Sequence, residues 1–151
     1  MAFDLIVWVI YLFSLYYGVF WFLVYLDYGS KDQQPNFKNS PLVTIAIPAY
    51  NEEESIEATI DSVTSLDYPK DKMEILVIND GSKDKTAEIV EAVIKKNKGY
   101  KIILINQKNA GKGSAMNNAL NQATGEFFIS LDADSYVRSD ALKVIMPYFT
   151  N

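Results

Sequence analysis

The sequence predicts an α/β protein: an open, doubly wound, mainly parallel sheet preceded by one transmembrane helix. Three observations carry this. A long charge-free apolar stretch opens the chain, from Leu5 to Leu26. Beyond it, short apolar runs alternate with segments of helical periodicity, the pattern of strand–helix–strand units. The runs Ile75-Leu76-Val77-Ile78 and Ile102-Ile103-Leu104-Ile105 are continuous rather than alternating, as expected for strands covered on both faces.

The opening stretch holds 22 residues interrupted only by Ser14 and Gly18. As a helix it extends about 33 Å, enough for a hydrocarbon core of about 30 Å. Trp8, Tyr11, Tyr16, Tyr17, Trp21 and Tyr25 suit the membrane interface. A signal peptide fits poorly, because no Lys or Arg precedes the run, the run is too long, and no small-residue cleavage site follows. Lys31 and Lys38 flank it on the C-terminal side only, so the positive-inside tendency predicts a single-pass protein with its remaining part in the cytoplasm. Residues 1–27 thus read as an anchor, 28–41 as a polar linker with Gly29, Pro35 and Pro41, and 42–151 as a folded domain.

Within that domain, Leu42–Ile47 is the first predicted strand. A helix over about Glu53–Leu66 follows, with Ile56, Ile60 and Val63 on one face, Asn51 as its N-cap and Glu54 as the acid of a capping box. Met73–Ile78 is the second strand, and Thr86–Lys96 a helix carrying Ile89, Val90, Val93 and Ile94. Lys101–Ile105 is the third strand and Gly113–Gln122 the third helix of the domain. Phe127–Leu131 is the fourth strand, and Asp140–Tyr148 starts another helix with Asp140 as its N-cap. No internal repeat or low-complexity tract interrupts this order.

Composition narrows the chemistry. All 14 basic residues and 17 of the 19 acidic ones follow Tyr28, leaving that part with a net charge of −3 and no polybasic run to grip nucleic acid. Cysteine and histidine are absent, which removes disulfides, thiol nucleophiles, Cys-based zinc sites and the usual imidazole base.

Ligands of open α/β sheets bind beyond the carboxyl ends of the strands, and polar clusters stand at all four. They are Pro48-Ala49-Tyr50-Asn51-Glu52, Asn79-Asp80-Gly81-Ser82, Asn106 to Gly113, and Asp132-Ala133-Asp134. Each alone has a plain structural reading. Glu53 and Glu54 complement a helix N-terminus, Asn79–Ser82 makes an ordinary turn, and Gly111-Lys112-Gly113 a flexible loop. Asp132 and Asp134 have a second reading: at a strand end, residues two apart face the same way, so both carboxylates can meet one hard cation such as Mg2+ or Mn2+. Such an ion holds a diphosphate and stabilises it as a leaving group. Known phosphate loops are missing. Gly113 follows Lys112 where a P-loop needs Ser or Thr, Asn106 stands at its leading Gly, and no Gly-x-Gly-x-x-Gly follows the first strand.

Taken together, the four clusters closely resemble the family-2 glycosyltransferases, inverting enzymes of the glycosyltransferase A fold. The resemblance runs from about Val43 to Tyr136 and rests on VTIAIPAYNE (43–52), EILVINDGS (74–82), NAGKG (109–113) and LDAD (131–134). It implies a nucleotide-diphosphate sugar donor of uridine or guanosine type. Pro48, Ala49 and Tyr50 would lie against the nucleoside with Glu52 nearby, and Asp80 would hydrogen-bond the base. Lys112 would stand near base and diphosphate, and Asp132 and Asp134 would form the Asp-x-Asp motif, with Asp134 the direct metal ligand. The anchor resembles the first membrane segment of members that build polysaccharides or load lipid carriers.

In that family the catalytic base and the acceptor-binding elements lie beyond the Asp-x-Asp motif. After Tyr136 the only carboxylate is Asp140, and the family's basic or Trp-containing acceptor motif is absent. The expectation is therefore a donor-binding half without its acceptor half, truncated at the C-terminus or paired with a partner chain. The alternative is a non-catalytic nucleotide-sugar-binding subunit. A sugar nucleotidyltransferase is disfavoured, because Pro48-Ala49-Tyr50 replaces the Gly-rich basic loop such enzymes carry after their first strand.

Overall fold

A computed structural model of the chain describes residues 2–29 and 40–149, which fall into two units. Most of the expected linker, including Lys31 and Lys38, lies outside the described residues. The first unit is a single helix, α1 (Ala2–Gly29). Its segment Phe3–Leu26, 24 residues, is long and apolar enough to cross a membrane. The described side chains of that segment are all exposed.

The second unit runs β1 (Val43–Ala49), α2 (Ile56–Thr64), β2 (Met73–Asn79), α3 (Thr86–Lys96), β3 (Lys101–Asn106), α4 (Lys112–Gln122), β4 (Phe127–Ser130) and α5 (Ala141–Ile145). Single 3-10 turns precede β2 and follow α5. The strands form one parallel sheet in the order β3-β2-β1-β4. The chain steps outward from β1 to β3, then crosses back so that β4 pairs with β1 on the other side. This is the doubly wound mainly parallel sheet that the apolar runs predict. Strand order reverses between β1 and β4.

The two faces are covered unequally. Val43, Ile45 and Ile47 of β1 and Met73, Ile75 and Val77 of β2 join Ile56, Ile60 and Val63 of α2 and Val90 and Val93 of α3 in the main core, which Leu142 and Met146 complete. The opposite face is smaller: Ala46, Leu76 and Ile78 pack against Ala115 and Ala119 of α4. Two alanines four residues apart sit one above the other, which lets this helix approach the sheet closely. β2 is buried throughout, as its apolar run requires, whereas β3 is an edge strand with Lys101, Ile103 and Asn106 exposed.

Pro48 explains how the sheet opens. In β1 the even residues bond toward β4: Leu42 O accepts from Phe127 N–H and Ala46 O from Leu131 N–H. The odd ones bond toward β2, as Ala49 O does with Asp80 N–H. The N–H that Pro48 lacks would point to the β4 side, where pairing has already stopped at Ala46↔Ser130. A proline inside a strand is tolerated at such a place. Beyond it β1 and β4 separate.

Several boundaries differ from the sequence expectation. Asn51 is not an N-cap: its φ is 55°, in the left-handed region, and its Oδ1 accepts from Lys83 N–H at 2.8 Å. The chain turns through Glu52–Ser55, and the helix begins at Ile56. Glu54 forms no capping box, because the residue at the helix start is Ser55, whose side chain makes no cap bond. Asp140 does stand at the N-cap position of α5, and its carbonyl accepts from Val144 N–H, but its side chain makes no cap bond, since the carboxylate is held by Arg138 at 2.9 and 2.5 Å.

Candidate functional site

The loops after β1, β2, β3 and β4 enclose a cleft of about 260 Å3 at the strand-order reversal. It is lined by Pro48, Ala49, Tyr50, Glu52, Asp80, Lys112, Asp132 and Asp134, with Ala115 and Ala133. All eight site residues implied by the resemblance line this one cleft.

Its walls are tied to one another by hydrogen bonds between loops. Asn51 N–H donates to Ser82 Oγ at 3.0 Å, Glu52 N–H to Thr86 Oγ1 at 2.8 Å, and Glu53 N–H to Asp84 Oδ2 at 3.1 Å. Asp84 also accepts from the hydroxyl and N–H of Thr86, and these donors outweigh the effect of burial to hold its carboxyl below the usual range. Glu52, half-buried, takes the Ser55 hydroxyl at 2.6 Å.

Asp80 is 4% exposed and ties the second loop to the third. Its Oδ1 accepts from Gln107 Nε2 at 2.8 Å and Ala110 N–H at 2.9 Å, and its Oδ2 from Gly111 N–H at 2.8 Å. Burial raises its pKa, but these three donors prevail and the carboxyl lies below its ordinary value. Gln107 is itself fixed by Asn118 Nδ2 of α4 at 2.8 Å. Gly81 permits the approach of the loops: its φ is 74°, and a Cβ there would stand 2.8 Å from Asn109 N.

The two carboxylates of the fourth loop converge by a different route from strand alternation. β4 ends at Ser130, and Asp132-Ala133-Asp134 enters a turn. Ala133 is buried, and its carbonyl accepts the Thr59 hydroxyl of α2 at 2.6 Å. Pinned at its centre, the turn leaves Asp132 and Asp134 exposed on the cleft. Asp132 Oδ1 receives Lys112 Nζ at 2.5 Å, whereas the Asp134 carboxylate makes no hydrogen bond or ion pair among the described residues.

Thr59 and Thr86 are not among the candidates the sequence offers, and Gln107 is one only as a member of the polar cluster 106–113. Thr59 gives a faint signal there, as a hydroxyl within the apolar face of Ile56, Ile60 and Val63. Thr86 gives none, and nothing sets Gln107 apart within its cluster, since their partners are distant in the chain.

Among the described residues no three carboxylates gather as a ready-made metal cage. Two exposed carboxylates nevertheless suit Mg2+ or Mn2+, whose octahedral shell is ordinarily completed by water and substrate phosphate. The hard-oxygen donor set fits such an ion.

Residues 44–151 match the family described as Glycosyl transferase family 2. The chain belongs to this family. A probable glycosyltransferase of Bacillus subtilis, YdaM, is 34% identical over 134 residues, covering 86% of this chain and 32% of its own. The poly-beta-1,6-N-acetyl-D-glucosamine synthase of Staphylococcus epidermidis is 36% identical over 139 residues, covering 85% and 32%. Among solved structures, the mannosyltransferase PcManGT of Pyrobaculum calidifontis, in complex with GDP-Man and Mn2+, superposes with a TM-score of 0.74 at 32% identity. That match covers 78% of this chain and 34% of that one. S. aureus TarS 1-349 in complex with UDP-GlcNAc gives 0.65 at 32%, covering 72% and 31%. The chain thus spans about a third of the length of the curated relatives it matches.

Proposed function

We propose that this chain is the donor-binding part of a membrane-bound, inverting glycosyltransferase that takes a nucleotide-diphosphate sugar together with Mg2+ or Mn2+. The observation that carries the reading is the single cleft lined by Pro48, Ala49, Tyr50, Glu52, Asp80, Lys112, Asp132 and Asp134 at the strand-order reversal. Pro48, Ala49 and Tyr50 lie against the nucleoside, with Glu52 beside them. Asp80 faces the base while its loop bonds fix its position. Lys112 offers a positive charge to the diphosphate, and Asp132 and Asp134 hold the metal. The ion, when bound, offsets diphosphate charge and so improves it as a leaving group.

A uridine or a guanosine donor is supported equally, since relatives of similar identity are solved with UDP-GlcNAc and with GDP-Man. The same relatives favour hexosyl or N-acetylhexosaminyl transfer, with a lipid carrier or a growing polysaccharide as the acceptor in this reading. Residues 1–27 serve as a single-pass anchor in membrane lipid, 28–41 as linker and 42–151 as the donor domain on the cytoplasmic side. The exposed apolar length of α1 supports the anchor, because a core helix of a soluble protein is buried.

The chain by itself binds donor without efficient transfer. A general base contributes about 10²- to 10⁴-fold, and the described carboxylates of the cleft all have other tasks. Asp140 is the only carboxylate in residues 135–149, and Arg138 neutralises it, holding its carboxyl below the usual range. A further segment or a partner chain supplies the base and the acceptor platform.

Titration calorimetry of the full chain in detergent micelles, with UDP and with GDP, tests this. At least one should bind in the presence of Mn2+ or Mg2+ and lose most affinity in EDTA, and Asp134→Ala should abolish the metal dependence. Equal affinity with and without EDTA would sink the metal assignment, and failure of both nucleotides to bind would sink the donor reading.

A further inference from the structure

Lys112 occupies an unusual place. It is the first residue of α4, whose first turn carries no acidic residue. A cation at a helix N-terminus opposes the helix dipole, so Lys112 gains nothing from its own helix. Its backbone is nonetheless held firmly, because Asp80 clamps the N–H groups of Ala110 and Gly111 immediately before it. The side chain is 62% exposed and ends on Asp132, which is 54% exposed, with Nζ 2.5 Å from Oδ1. Fixed at its base and free along its length, Lys112 places an ammonium on one of the two carboxylates assigned to the metal. The other, Asp134, has no partner among the described residues.

We propose that Lys112 is a tethered counter-ion for Asp132 that competes with the divalent metal until a diphosphate draws it away. This rests on the donor reading of the cleft. With no nucleotide bound, the ammonium neutralises Asp132 and repels a second cation, so metal alone binds poorly. A diphosphate entering the cleft offers Lys112 a better anion and frees Asp132 for the metal. Nucleotide and metal therefore strengthen each other through one movable side chain, and metal binding is confined to the donor-loaded site. An exposed ion pair is weak enough to be exchanged in this way, while a charge-assisted bond to phosphate is stronger.

The test measures Mn2+ binding to the full chain in detergent by electron paramagnetic resonance of free Mn2+, with and without UDP or GDP. Lys112→Met should tighten binding of Mn2+ alone by about two- to fivefold, the range an exposed ion pair commands. The same variant should weaken nucleotide binding by about ten- to a hundredfold, the cost of one charge-assisted hydrogen bond, so the two affinities move in opposite directions. Asp132→Asn in the Lys112→Met background should remove the gain. Lys112→Gln, also expected to fold at so exposed a position, should repeat the first result. Unchanged or weaker Mn2+ binding in both lysine variants would overturn the proposal, even where wild type binds metal and nucleotide together. Tighter Mn2+ binding in the variants, with neither nucleotide bound by wild type, would uphold the competition at Asp132 and overturn the donor reading instead.

Discussion

Replacing Glu74 by Gln should cost the domain about 3 kcal/mol at neutral pH and leave nucleotide affinity unchanged. Glu74 is the second residue of β2, at the end of the sheet away from the cleft, and is fully buried. Its carboxylate accepts Thr44 Oγ1 of β1 at 2.7 Å, the N–H and hydroxyl of Thr124 at 2.9 Å each, and the Lys101 ammonium of β3. Burial alone raises its pKa, but the bonds from Lys101, Thr44 and Thr124 prevail and bring it from 4.5 to about 2. At about 1.4 kcal/mol per pH unit, that gap is worth about 3 kcal/mol. Because the folded-state pKa is the lower one, the stabilisation is complete above pH 4.5 and drains away as pH falls toward 2. Lys101 is half exposed and recovers water in the variant, so the loss falls chiefly on the fully buried hydroxyl of Thr44 and the part-buried bonds from Thr124. Urea titrations of the full chain in micelles, followed by circular dichroism at pH 7, 4 and 3, should show wild type converging on Glu74→Gln as the pH drops. Curves that stay parallel, or equal stability at pH 7, would refute this account of the buried charge.

Asp80→Asn should lower stability by about 1.5–3 kcal/mol, since an amide cannot accept at both positions that Ala110 and Gly111 address. The same variant should lose part of the fall in stability below the ordinary carboxylate range, because the Asp80 pKa is depressed and its contribution is present only above that range; urea titrations against pH read both effects. Gly81→Ala should destabilise by about 1–3 kcal/mol through its φ of 74° and the clash with Asn109, and calorimetry should show weaker nucleotide binding with it. Thr59→Val keeps the shape but leaves the buried Ala133 carbonyl unpartnered, at about 1–3 kcal/mol, and should loosen metal-dependent nucleotide binding. In sealed inside-out vesicles, protease should digest everything after α1, and protection there would reverse the proposed orientation.

The strands were legible because their burial is two-sided and their apolar runs unbroken, and the cleft because polar residues interrupt those runs at one end of every strand. What the sequence hid is contact made through space. Asn51 reads as a helix cap by its type and position, yet a left-handed backbone and a bond to Lys83 remove it from the helix. Asp132 and Asp134 read as an alternating pair on a strand, yet a hydroxyl 74 positions away in the chain, on Thr59, sets their geometry. β3 reads as buried on both faces like β2, and only the strand order places it at an edge. Gln107 reads only as one member of a polar cluster, because its role depends on Asp80 and Asn118 arriving on either side of it.

The same through-space ties bear on how the site binds. β1 and β4 are paired only as far as Ala46, and Pro48 offers the β4 side no N–H with which to extend the ladder. A gap between two strands would ordinarily leave its flanking loops free to move, and ordering them on binding would subtract from affinity. Here Asn51, Glu52 and Glu53 are bonded across to Ser82, Thr86 and Asp84, and Asp80 holds the third loop by two backbone N–H groups. The fourth loop is pinned at Ala133. All of these ties lie within residues 51–133, so the cleft needs no acceptor element to take its shape. Among the described residues the Lys112 side chain is held only by its ion pair with Asp132, and that is where a ligand can change the site without disturbing the fold.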